Sequence, residues 1–201
     1  MVVACGTELD PEPLSLLNGN RTVLSYDASD IGEAQVDQKT EQVTFAAGCF
    51  WGVEAYFKRV KGVIRATSGY SGGLTEHPSY EQVCTGRTGH AESVLVEYDA
   101  QVVSFDRLLY HFWKIHDPTQ LDRQGNDVGS QYRSAIFTHS EEQREEAERS
   151  KAELERSGRF RKPVATAIEP ATEFWPAEEY HQDYLTKNPG GYCHVDLSSV
   201  D

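Results

Sequence analysis

Past residue 41 the chain changes hydrophobic period again and again, and this alternation constrains its fold more than any other feature. Stretches of strand composition fall at 42–47, 63–69, 93–98, 134–138 and 164–168. Between them the pattern turns helical after Cys49, Ser79, Ser104 and Ser140, and a final helix is expected near 177–185. The helix after Ser104 is the clearest, because Phe105, Leu108, Leu109, Phe112 and Trp113 follow the spacing of one buried face before Asp117-Pro118 ends it. The next opens with Ser140 and Gln143 in capping-box spacing and stops near Gly158. Its Glu141, Glu145, Arg149 and Glu153 read as a solvated face held by pairs four apart. With no internal repeat in 201 residues, the pattern specifies one α/β (α+β) domain with two irregular ends.

The ends differ in composition from the middle. Residues 1–41 hold eight Asp/Glu against two Lys/Arg and are rich in Pro, Gly, Ser and Asn, so they read as an acidic, mostly irregular extension. Residues 42–187 form the domain that carries the chemistry, and 188–201, opening on Asn188-Pro189-Gly190-Gly191, a flexible tail. A net charge of −13 opposes binding to nucleic acid, which needs clustered Lys and Arg. No apolar run approaches the roughly 20 residues that span a bilayer, and Met1 to Gly6 lack the basic and apolar regions of a secretory signal. Four cysteines, Cys5, Cys49, Cys84 and Cys193, form no CxxC pair or zinc spacing. A chain with its own core does not need two structural disulfides, so one or two working thiols in a reducing, cytoplasmic setting is the expectation. Without a dinucleotide fingerprint or a P-loop, no metal, flavin or nicotinamide is indicated.

Chemistry concentrates at Gly48-Cys49-Phe50-Trp51-Gly52, where the strand 42–47 gives way to a helix. A thiol at a helix N-terminus meets unpaired N–H groups and the positive end of the dipole, which favour the thiolate and lower its pKa from roughly 8.5. A buried cysteine beside core aromatics is the ordinary alternative. The neighbours weigh against it. Glu92, in Gly89-His90-Ala91-Glu92, stands immediately before a strand, where it can face a cleft. Tyr80 opens the helix after Ser79, Tyr132 lies at the entry to the strand 134–138, and Asp127 sits in a glycine-framed loop upstream of it.

Five ordered motifs, namely Gly48 to Gly52, Gly69-Tyr70-Ser71-Gly72-Gly73, Gly89 to Glu92, Gly125-Asn126-Asp127 with Gln131-Tyr132-Arg133-Ser134, and Asn188 to Cys193, together resemble the A-type peptide methionine sulfoxide reductases over roughly 42–193. The resemblance implies a ferredoxin-like, βαβ-rich two-layer core with added strands. It also implies reduction of methionine sulfoxide, free and in proteins, with preference for the S epimer. Cys49 is then the nucleophile, Glu92 the acid that protonates the departing oxygen, and Tyr80 and Tyr132 donors to the developing oxyanion. Burial must raise the Glu92 pKa for that role. Phe50 and Trp51 would wall the site and hold the substrate S-methyl, and Asp127 would lie near the bound oxygen or its water. Cys193 matches the resolving position that turns a Cys49 sulfenic acid into a disulfide. Some relatives carry a further recycling cysteine, and none follows Cys193 here, so an external dithiol of the thioredoxin type should act on the Cys49–Cys193 bond itself.

The other readings are a cysteine-dependent hydrolase and a module that binds oxidised methionine without turnover. The first needs a histidine base, and the spacing selects none of His90, His111, His116 and His181. The second has no use for Glu92 or Cys193. Cys84 is expected to be a buried structural thiol and Cys5 incidental, and the protein to act as a monomer.

Overall fold

Val43, Thr44, Phe45, Ala46 and Ala47 are buried on both alternating faces, so the strand they form must lie inside its sheet. It does. The structure, a computed structural model, describes residues 39–200, and this strand is β1 (Thr40–Ala47), flanked by β3 (Ala91–Asp99) on one side and β6 (Ser134–Thr138) on the other. The other elements are α1 (Phe50–Phe57), β2 (Val63–Ser71), α2 (Tyr80–Cys84), α3 (Phe105–Lys114), the hairpin β4 (Arg123–Gln124) and β5 (Asp127–Val128), α4 (Glu141–Arg156), β7 (Ala167–Pro170), β8 (Trp175–Pro176) and α5 (Tyr184–Lys187).

The sheet runs β7-β6-β1-β3-β2-β8. Its inner four strands are mutually antiparallel, and α1 and α3 make the two crossovers of a ferredoxin-like βαββαβ unit. Parallel β7 and antiparallel β8 are the added edges. Phe57 of α1 and Phe112 of α3 both stack on Phe45, at 5.0 and 4.9 Å, which puts both helices on one face of the sheet. Each such buried ring contributes roughly 1.5–3 kcal/mol of burial. Leu108, Leu109 and Phe112 are fully buried, as the α3 stripe requires. Ser79, Ser104 and Ser140 each accept a backbone N–H three residues on and so cap α2, α3 and α4. Among the described residues, no helix is long and apolar enough to cross a membrane.

Three expectations shift. The helix expected near 177–185 is a pair of turns, His181 N–H to Glu178 O at 2.9 Å and Gln182 N–H to Glu179 O at 3.2 Å, followed by the four residues of α5. Asp183 breaks it, because its backbone is left-handed at φ +54° and its N–H is drawn away by the buried Glu54 carboxylate at 3.1 Å. The strand expected at 164–168 begins at Ala167, since the Ala165 N–H pairs instead with Pro118 O at 2.7 Å. Glu92 lies inside β3 rather than before it. Most of the acidic extension, with Cys5, lies outside the described residues, and Thr40 and Glu41 already belong to β1.

Candidate active site

At the end of β1 the chain turns through Gly48, whose φ of +89° suits only glycine, and a Cβ there would come within 2.7 Å of Gln124 Cβ. The turn delivers Cys49 as the N-cap residue of α1, 6% exposed and with no capping hydrogen bond from its side chain. Antiparallel pairing sets Phe45 opposite Val94, so Glu92, two residues earlier in β3, reaches the level at which β1 ends. Its carboxylate accepts the first N–H of α1, that of Phe50, at 3.1 Å.

Glu92 is 2% exposed, and burial pushes its carboxyl up to about 8, against the Phe50 N–H and with the nearby charge of Asp127. It is therefore mostly protonated at neutral pH. The expected drop in the Cys49 pKa is not found. Burial pushes the thiol up, the Glu92 carboxylate adds to the rise, and the Trp51 N–H at the helix entrance opposes both without prevailing. The helix terminus acts as expected, but desolvation outweighs it. Burial raises the Tyr80 and Tyr132 phenols as well, helped by the Glu92 charge, so both hydroxyls keep their protons as donors.

The aromatic pair divides its work. Phe50 is buried with its ring 5.0 Å from His181 and 5.9 Å from Tyr70. Trp51 lies flat on Tyr184 at 3.7 Å and donates its indole N–H to His181 Nδ1 at 3.0 Å. Asp127 stands on the β4–β5 hairpin, accepts the Tyr192 hydroxyl at 3.0 Å, and is close enough to act on both Glu92 and Cys49. Cys193 is brought in by close approach: a Cβ on Gly52, three residues past Cys49, would sit 3.0 Å from Cys193 Sγ. The Cys193 thiol donates to Val195 O at 3.2 Å, and burial holds its pKa up.

All eight residues singled out in the sequence thus gather around the entrance of α1. Cys84 does not behave as expected. It is exposed, at the end of the short α2, with its thiol beside the Tyr80 hydroxyl. Each of the four histidines considered as hydrolase bases has another partner: His90 pairs with Gly73 N–H and Thr75 O, His111 with Tyr56, His116 with Phe112 O and Ser134, and His181, within the site, with Trp51. The sequence pattern named His181 only as one of four possible bases, and it missed Tyr184 and Glu178, which accepts both the Tyr70 hydroxyl at 2.8 Å and the Tyr80 N–H at 2.9 Å. Only the density of Glu, Tyr and His in Glu178 to Tyr184 could have flagged that segment.

The family model described as "Peptide methionine sulfoxide reductase" matches residues 41–201. The chain belongs to this family. A peptide methionine sulfoxide reductase MsrA of Methanoculleus marisnigri is 57% identical over 159 residues, covering 79% of this chain and 97% of the relative. Among solved structures, reduced Mxr1 from Saccharomyces cerevisiae superposes with TM-score 0.74 at 39% identity, covering 79% of the reductase and 92% of that chain. Mxr1 in complex with Trx2 superposes with TM-score 0.53 at 27% identity, over 81% and 91%. Thiol-dependent reduction of methionine sulfoxide is accordingly the activity for which the site must account.

The raised Glu92 pKa carries a stability prediction. Folding lifts this carboxyl from 4.5 to about 8, so the fold keeps a proton that the unfolded chain has lost. That contribution is whole below about pH 4.5 and disappears as pH rises through about 8. Gln carries no such charge. The thermal midpoint of Glu92→Gln should therefore gain on the parent between about pH 5 and pH 8 and hold its gain above that. A difference independent of pH would mean that Glu92 ionises normally.

Proposed function

We propose that the reductase converts the S epimer of methionine sulfoxide, free and in proteins, to methionine, with Cys49 as nucleophile and Glu92 as proton donor. The observation that carries this reading is a carboxyl held protonated beside a buried thiol at one helix entrance. A sulfoxide oxygen departs poorly unless protonated, and a neutral Glu92 can supply that proton as the Cys49 sulfur attacks, taking up in exchange the proton that the thiol gives up. Tyr80 and Tyr132 steady the oxygen while charge develops on it. Phe50 and Trp51 form the apolar wall for the methyl group, and Asp127, tied to Tyr192, orients the oxygen or its water. Oxygen transfer leaves methionine as the thioether and Cys49 as a sulfenic acid, the former reduced and the latter oxidised by two electrons.

Cys193 then closes a disulfide with Cys49, which a dithiol reductant of the thioredoxin type opens. The complex of the yeast relative with Trx2 supports such a partner. The segment from residue 188 onward is the part we take to move between these states. Free thiols at Cys49, Cys84 and Cys193 suit a reducing, cytoplasmic setting, and a site drawn from one chain suits a monomer.

The test is to incubate the reduced protein separately with the two epimers of a methionine sulfoxide peptide and then titrate its thiols. The S epimer should yield methionine with loss of two thiols, and the R epimer neither. Equal consumption of both epimers, or of none, rejects the reading.

A further inference from the structure

The resolving step needs a base that the roles above do not supply. Resting Cys193 is a thiol whose proton points at Val195 O, and a carbonyl can hold that proton but not remove it. Burial keeps the thiol from ionising by itself, although Arg59 eases it. The next residue is a histidine. His194 donates through Nε2 to Ala47 O at 2.9 Å, which fixes the tautomer and leaves Nδ1 with a free lone pair. That Nδ1 is buried and has no hydrogen-bond partner among the described residues. An unpaired buried acceptor is costly, and such groups ask for a functional explanation.

The ring and the Cys193 sulfur both approach the turn that carries Cys49. A Cβ on Gly48 would meet His194 Cε1 at 3.2 Å, and a Cβ on Gly52 would meet Cys193 Sγ at 3.0 Å, so ring and sulfur bracket Cys49 along the chain. At rest, before that segment moves, both flanks of Cys193 are held, by Tyr192 to Asp127 and by His194 to Ala47.

We infer that His194 is the base of the resolving step, its Nδ1 taking the Cys193 proton as that sulfur attacks the Cys49 sulfenic acid. The new bond is Cys193 S to Cys49 S, and the bond that breaks is Cys49 S–O. Nδ1 returns its proton to the departing hydroxyl, which leaves as water. The Cys193 sulfur is oxidised and the Cys49 sulfur reduced by the same amount, so no outside oxidant enters. This rests on the sulfenic acid proposed above.

The surroundings suit a neutral imidazole. Burial lowers the His194 pKa, while the Ala47 carbonyl and the Asp127 carboxylate on the β4–β5 hairpin partly restore it. His116, past the end of α3, is pushed down to about 4 and adds no positive charge near neutrality. With Asp127 and His116 as the titrating groups that act on it, His194 is free to accept a proton at neutral pH.

The experiment follows the full chain through one turnover with an excess of S-sulfoxide peptide, measuring methionine release and, separately, disulfide formation. A sulfenic-acid trap of the dimedone type reads the intermediate. His194→Gln keeps a donor for Ala47 O and removes the base. In that variant disulfide formation should slow by about 10²-fold, with trapped Cys49 sulfenic acid accumulating after methionine is released. In the unaltered protein the disulfide rate should level off above the histidine range. In the variant it should climb about tenfold per pH unit towards thiol ionisation. A parental disulfide rate in His194→Gln, or methionine release slowed as much as disulfide formation, overturns the inference. So does an unaltered protein whose rate climbs without a plateau, a result that needs no variant to fold. Absence of methionine altogether would instead reject the function proposed for Cys49 and Glu92.

Discussion

Cys49→Ser should release no methionine from a sulfoxide peptide beyond a control without protein. A serine hydroxyl at this position is neither ionised nor polarisable enough to take oxygen from sulfur, and the sulfenic acid has no stable hydroxyl counterpart. The loss should come without loss of the fold. The Cys49 side chain caps nothing, and oxygen for sulfur in a pocket that is 6% exposed is a small change in volume. Single-turnover chromatography of free methionine, alongside thermal midpoints of both proteins, makes the check. Methionine release by the variant would take Cys49 out of the reaction.

Cys193→Ser should show a different defect. It should convert one equivalent of sulfoxide per protein molecule and then stall with a thioredoxin-type reductant, because the sulfenic acid forms before the second thiol is needed. A small exogenous thiol should revive it by reducing the sulfenic acid directly. The one internal substitute among the described residues is Cys84, which stands exposed beside Tyr80 at the site. Mass spectrometry decides between them. The parent, given substrate but no reductant, should carry a Cys49–Cys193 bond. A Cys49–Cys84 bond in its place would overturn the recycling scheme, as would sustained dithiol-driven turnover in Cys193→Ser.

What was legible in the sequence was local. The strand running into Gly48-Cys49, the Phe105-to-Trp113 stripe and the three serine caps depend on neighbours within a few positions, and each forms where the pattern puts it. The convergence of Glu92, Tyr80, Tyr132, Asp127 and Cys193 on one helix entrance came from motif resemblance, since no period or spacing relates positions so far apart. What could not be read depends on tertiary burial. The pKa of Cys49 rises because the surrounding packing desolvates it and the Glu92 charge adds to the rise, and helix position alone points the other way. The segment 177–185 has helical composition, but Glu54 on another element takes the Asp183 N–H and turns the chain. Cys84 is exposed because α2 is only five residues long and buries just Val83. His194 could not be read from the sequence, because its meaning lies in an atom without a partner among the described residues, which only the folded structure shows.

The packing around Cys49 also bears on which oxidants this protein answers. Peroxide attacks thiolates that it can reach, and susceptibility follows thiolate character and exposure. A sulfur kept protonated and almost out of solvent offers peroxide little of either. On the proposed reading, a bound sulfoxide by contrast brings its oxygen to where Glu92 can release a proton. On that reading burial acts as a filter between oxidants: it should slow overoxidation while leaving the sulfur open to the lesion it repairs, so that the resting enzyme persists through the same oxidative episode that creates its substrate.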